Sequence, residues 1–256
     1  MSADRQRRLL VSWSGGKDSA LALAALAAEP GVEIIGLLTS VTRGYDRVSI
    51  HGVRRVLLEA QARALRLPLI EIPLDPECTN LAYEAAFLES TQRARASHGT
   101  VDGIIFGDLF LEDVRKYRER LLEGTGLTPV FPLWGEPTDV LADRCIASGI
   151  EARLVCVDTT QLAASFAGRA YDRVLLRDLP PTVDPCGEQG EFHTFVAWAP
   201  GFDEPVGYDL GEIVRRDNRF VYCDLLPVSL NGAHPGAPHP VAAEVTTRAA
   251  AAPPPR

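Results

Sequence analysis

Lysine is nearly missing from this sequence. Lys17 and Lys116 stand against 24 arginines, and 34 acids against 26 bases give a net charge of −8. A chain with that balance lacks the broad positive field that draws proteins onto phosphate backbones, so nucleic acid is not an expected partner. No stretch nears the ~20 apolar residues that a membrane helix needs. The basic opening MSADRQRRLL runs into a strand-like segment without the apolar core of a secretion signal. A cytoplasmic protein with no membrane partner is therefore expected. The five cysteines never form C-x-x-C, which favours reduced thiols over a disulfide frame or structural zinc. The five histidines form no H-x-x-x-H or H-E-x-x-H pair, so no dedicated metal cage is expected.

What is present is ordinary apolar content, 46% of 256 residues, enough for one large domain or two small ones. Strand-like runs at Leu9–Trp13, Glu33–Ser40, Leu69–Leu74 and Asp102–Gly107 alternate with helical stretches at Asp18–Ala28, Gly52–Leu65, Thr79–Ala96 and Glu112–Glu123. Such alternation predicts an α/β fold: a Rossmann-like, doubly wound parallel sheet covered on both faces. Gly124-Thr125-Gly126 marks a hinge. Beyond it the texture predicts a second, smaller α/β domain. Its strands are expected at Val130–Trp134, Ala152–Val157 and Phe192–Trp198, its helices at Thr138–Ser148 and Gln161–Arg177, and a hairpin around Asp217-Asn218. The domains are thus placed at 1–126 and 127–230, followed by an Ala/Pro-rich tail at 231–256 expected to be disordered.

The most informative residues are Ser14-Gly15-Gly16-Lys17-Asp18-Ser19, between the first strand and the first helix. Two glycines permit a sharp turn and close approach to a ligand. The helix that follows presents unpaired N–H groups and a partial positive charge to an anion. Ser14 and Ser19 add hydroxyls and Lys17 a full charge. Asp18 is wrong for bare phosphate but right where a divalent ion bridges carboxylate and phosphate. Neither G-x-x-x-x-G-K-[ST] nor G-x-G-x-x-G is present.

SGGKDS resembles the PP-loop of the ATP pyrophosphatases, which cleave ATP between its α- and β-phosphates. Three further segments, HGVRRVLLEAQARALRLPL (51–69), GDLFLEDVRKYRERLLEGTGLTPVFPLW (107–134) and DPCGEQGEFHTFV (184–196), resemble the diphthine–ammonia ligase family. With the turn they span residues 9–225, and the Arg-heavy composition suits a bacterial relative. The resemblance implies ATP as cofactor, its pyrophosphate end on Ser14, Gly15, Gly16, Lys17, Asp18 and Ser19, with Mg²⁺ at Asp18. It places adenine along Leu37–Ser40, with Leu37 and Thr39 as binding positions. Gly107-Asp108 falls at the carboxyl edge of the sheet, where such folds bind ligands, with Asp108 toward ribose or metal. His51 opens a helix at the same edge and is a candidate for the nucleotide. Arg115 and Glu119 make an ordinary i,i+4 pair, with Arg115 a minor candidate for substrate.

In the second domain, two glycines flank a polar turn in Cys186-Gly187-Glu188-Gln189-Gly190-Glu191-Phe192-His193-Thr194. Glu188, Glu191 and His193 are candidate catalytic groups beside Lys17 and Asp18, acting as acceptors for ammonia and for a proton. Cys186 as a nucleophile lacks a base at fixed spacing. The function implied is adenylation of a carboxylate with release of pyrophosphate, then amidation by ammonia. A fused N-terminal glutaminase is not expected, because the turn begins at residue 14, so ammonia arrives free or from a partner. The acceptor is a carboxylate-bearing small molecule or protein, and a homodimer is compatible with such an enzyme. Two alternatives stand beside it. A tRNA-modifying PP-loop enzyme would carry paired cysteines and basic surfaces, and a non-catalytic adenine-nucleotide-binding protein would release no pyrophosphate.

Overall fold

Leu9, Leu10 and Val11 are buried on both faces of their strand, which makes it the centre of a covered sheet. A computed structural model describes residues 5–44, 47–48 and 52–228. In chain order the first part comprises β1 (Arg7–Ser12), α1 (Lys17–Ala27), β2 (Val32–Thr42), β3 (Arg47–Val48), α2 (Arg55–Ala64), β4 (Leu69–Leu74), α3 (Asn80–His98), β5 (Gly103–Ile105), α4 (Glu112–Leu122) and β6 (Thr128–Val130). The five parallel strands run β4-β2-β1-β5-β6, with β3 a short antiparallel addition to β2. Leu9, Val11 and Trp13 pack with α1 and α2 in one apolar cluster, while Leu10, Leu38 and Ile104 pack with α3 and α4 in another. Helices on both faces make the sheet doubly wound and Rossmann-like. Its strand order reverses at β1, so the crevice between the carboxyl ends of β1 and β5 is where such sheets take ligands.

The second part comprises α5 (Thr138–Ala147), β7 (Glu151–Asp158), α6 (Arg173–Asp178), β8 (Phe192–Trp198), β9 (Tyr208–Arg216) and β10 (Phe220–Pro227). Its strands form a smaller antiparallel sheet in the order β8-β7-β10-β9. The expected hairpin turns at Asp217 and Asn218, whose φ values of 51° and 49° match the twist of paired strands. Phe192, Phe195 and Val196 of β8 join the same apolar cluster as α1, so one core runs through both sheets. That position explains why α1 is buried nearly all round, including Lys17.

Several expected elements differ. The helix expected over Gln161–Arg177 is a single 3₁₀ turn at Ala164–Phe166 followed by α6. Gly168 has φ +81° and breaks the run, and Asp172 caps a new helix by accepting the Leu175 N–H at 2.8 Å. The strand expected at Val130–Trp134 ends at Val130, where Pro132 interrupts and Trp134 N–H folds back to Phe131 O. The strand itself pairs with β5, so the first sheet takes its last strand from beyond residue 126. The helix expected from Gly52 starts at Arg55, after Gly52 at φ +66°. The tail at 231–256 lies outside the described residues. Among the described residues no helix is long and apolar enough to cross a membrane.

Candidate functional site

The turn after β1 carries the sequence's sharpest signal, and its geometry follows from the two glycines. Gly15 sits at φ +78°, and a Cβ there would lie 2.5 Å from Leu58 Cδ2. Gly16 caps α1, whose first turn has no side-chain cap of its own. Ser19 Oγ donates to Gly16 O at 2.9 Å and lies 3.3 Å from Ser14 Oγ, so both hydroxyls line the turn. The other wall is the chain after β5. Gly107 approaches so closely that a Cβ would come within 2.8 Å of the Asp18 carbonyl carbon. Asp108 follows directly and thereby stands beside α1's first turn.

Lys17 does not extend into open space. Its ammonium donates to both Asp18 oxygens at 2.8 and 2.9 Å and to Cys186 O. It also stands 5.3 Å from the Tyr171 ring centre and 5.6 Å from that of Phe192. Burial works against its charge, but the Asp18 carboxylate prevails and holds Lys17 above the ordinary lysine range. Lys17 therefore ties the turn to the chain leading into β8.

Glu188 arrives from that same chain. Its Oε1 accepts the Leu109 N–H at 2.9 Å, which brings it next to Asp108. Burial, reinforced by Asp18 nearby, pushes its carboxyl up to about 8. Burial likewise raises Asp108 above the usual carboxylate range, partly offset by Arg118, whose Nε is 3.6 Å away. Asp108 Oδ2 is buried and has no hydrogen-bond partner. Three acids thus converge from α1, from the end of β5 and from the β8 approach. Among the described residues no group of three or more His, Cys, Asp and Glu can by itself hold a metal ion. The fit is to a hard cation that takes one or two carboxylates and draws its remaining ligands from phosphate and water, as Mg²⁺ does.

The other expected positions divide. Thr39 is buried on the sheet face shared with Trp13, and its Oγ1 has no hydrogen-bond partner. Leu37 lies wholly in the core, with its N–H given to Pro68 O, so its backbone donor is taken. Glu191 is expected to face the acceptor, yet it is buried, accepting the N–H groups of Asp184 and Gln189 at 2.9 Å each. It holds the turn together from inside. His193 is half-buried and falls on the opposite face of β8 from Thr194, away from Lys17. His51 lies outside the described residues. Cys186 donates its thiol to Thr138 O at 3.2 Å, and burial pushes it up to about 12, so it stays protonated. Arg115 pairs with Glu119 at 2.9 Å and lies over the rings of Phe131 and Trp134.

Three residues at the turn escaped the sequence: Trp13, Gln61 and Thr194. Thr194 Oγ1 accepts the Lys17 N–H at 3.1 Å, and Gln61 bridges Trp13 and the turn. A glutamine inside an amphipathic helix pattern reads as a surface residue, and only the fold reveals that it points inward.

Comparison with known proteins gives two family matches in order along the chain. The diphthamide synthase N-terminal domain matches residues 7–129, and the diphthamide synthase C-terminal domain matches residues 137–220. A diphthine–ammonia ligase of Schizosaccharomyces pombe is 23% identical over 231 residues, covering 80% of this chain and 36% of the relative. The chain thus spans about a third of the length of the curated relative it matches.

Proposed function

The chain belongs to the diphthamide synthase family, and on that premise we propose that it is an ATP-dependent ligase that forms AMP and pyrophosphate while amidating a carboxylate with ammonia. The observation that carries this reading is the meeting of Asp18, Asp108 and Glu188 around a glycine turn at the sheet's switch point. The turn from Ser14 to Ser19 would take the phosphates, and the buried Thr39 hydroxyl would face the nucleoside. Asp18, with Asp108 beside it, would hold Mg²⁺, which supplies charge neutralisation on the phosphates when bound.

A carboxylate needs activation before ammonia can attack it, and adenylation turns its oxygen into a leaving group. Glu188 is the group suited to the second half-reaction. A carboxyl pushed up to about 8 is poised to take a proton as the nitrogen bonds to the acyl carbon. The apolar walls from Tyr171 and Phe192 keep water from this side of the site. On this division residues 1–126 serve the nucleotide and 127–230 the acceptor, with β6 contributed across the line. The acceptor is a carboxylate-bearing molecule, and diphthine, named in the fungal relative, is the first to test.

The test is incorporation of ¹⁵N-ammonium. Incubation with ATP, Mg²⁺ and a panel of carboxylates that includes diphthine should yield one labelled amide, with AMP formed in equal amount. Labelled amide without AMP, or AMP formation unaffected by removing every carboxylate, would overturn the proposal.

A further inference from the structure

Gln61 is wholly buried in α2, and its amide makes three hydrogen bonds, two to the turn after β1 and one to β8. Oε1 accepts the Trp13 indole N–H at 2.9 Å, and Nε2 donates to Gly15 O at 3.1 Å and to Val196 O at 2.6 Å. Gly15 O also accepts the Val196 N–H at 2.9 Å. The carbonyl of the turn's first glycine therefore has two donors, one from α2 beneath the first sheet and one from β8 of the second. Among the described residues every peptide is trans, so a carbonyl and the N–H that follows it point in opposite directions. Pinning Gly15 O against Gln61 and β8 turns the Gly16 N–H outward. That N–H has only a long contact, 3.3 Å to Ser14 Oγ. The next peptide is fixed in the same way: Lys17 N–H is held by Thr194 Oγ1 at 3.1 Å, while Gly16 O faces into the helix, accepting from Ser19 Oγ and Ala20 N–H.

We propose that Gln61 and Thr194 are positioning residues that fix the peptides on either side of Gly16, so that the Gly16 N–H stays aimed at the phosphates of ATP and the second sheet completes the nucleotide site. The inference rests on the reading that this turn takes the phosphates. It goes beyond it in making phosphate binding depend on β8 of the second sheet. Oriented N–H groups bind an anion well only when nothing must reorganise to aim them. Gln61 and Thr194 perform that aiming from outside the turn, and the backbone bond from Val196 to Gly15 does the same from the strand.

The experiment compares ATP and adenosine, which differ in the phosphates alone, by calorimetry with Mg²⁺ on the full chain. The variants are Gln61→Met, Thr194→Val and Thr194→Ser, each measured below its own melting temperature. Gln61→Met and Thr194→Val should weaken ATP by about tenfold or more while leaving adenosine affinity within about twofold. Thr194→Ser keeps the hydroxyl and should restore ATP binding close to wild type. The Thr194 pair decides the matter if Gln61→Met does not fold. Equal ATP affinity in wild type and Thr194→Val would overturn this inference alone, as would parallel loss of ATP and adenosine. A wild-type chain that prefers ATP no more than adenosine would overturn the phosphate reading of the turn, and this inference with it.

Discussion

Asp18 has two duties that pull on the same carboxylate. It holds the charge of the buried Lys17, and it is the residue of the turn suited to a divalent cation. Asp18→Asn should therefore cut Mg²⁺-dependent turnover by ~10²-fold or more. It should also destabilise the protein, because Lys17 loses its counter-charge; Asp18 is about a third exposed, so the cost should be about 1–3 kcal/mol rather than that of a fully buried pair. Calorimetric melting and a Mg²⁺ titration of rate would separate the two effects. Glu188 gives a prediction in pH. Its carboxyl is raised in the folded protein, so the fold favours the protonated form, and that contribution is full below the unfolded carboxylate's range and lost as pH rises through about 8. Glu188→Gln should flatten the loss of stability between about pH 5 and 8 and melt several degrees higher at pH 8. The ligase rate at a fixed concentration of free ammonia, in contrast, should rise with pH as Glu188 loses its proton in the wild type and lose that limb in the variant. The turn itself was legible because its chemistry is local: six consecutive residues carry the glycines, the hydroxyls, the ammonium and the carboxylate. The place of Glu188 was not, since a residue so distant in sequence comes to Leu109 only through the docking of β8.

Among the elements, the chain end of β5 depends on one close approach. Gly107 packs on the Asp18–Ser19 peptide, and an added Cβ would meet backbone atoms at 2.8 to 3.0 Å, which cannot yield as a flexible side chain would. Gly107→Ala should cost about 1–3 kcal/mol through overpacking. It should also shift the first turn of α1, weakening ATP while leaving the far element α3 protected in hydrogen exchange. Full stability with unchanged ATP affinity would show that the contact is slack. Four of the five parallel strands and α1 to α4 were legible because apolar runs and amphipathic stretches alternate over this region; β6 was expected at Val130–Trp134 in the second domain. The helix expected across Gln161–Arg177 failed because Leu162 and Tyr171 face the core from irregular chain and Phe166 from a single 3₁₀ turn. Burial alone does not distinguish a helix from a folded loop, and Gly168 was the punctuation that mattered.

At the scale of the molecule, the two sheets are joined by charge as well as by the common core. Asp224 of β10 accepts from Arg47 at 2.9 Å and from Arg54 at 3.2 and 2.6 Å. Burial alone would raise its carboxyl, but the two guanidiniums hold it below the usual range. This contribution is present above the unfolded carboxylate's pKa and is lost as pH falls through the lower folded one. Asp224→Asn should destabilise by about 1–3 kcal/mol at neutral pH, because two arginines lose their shared acceptor, and the difference from wild type should vanish in acid. Melting curves across pH would check it.

A nucleotide held between these sheets should be cleaved between its α- and β-phosphates. Phosphorus NMR of ATP incubated with the full chain, Mg²⁺, ammonium and the acceptor panel tests it most directly. AMP and pyrophosphate are expected, with both absent when ammonium and carboxylates are omitted. Exclusive formation of ADP and orthophosphate would contradict it.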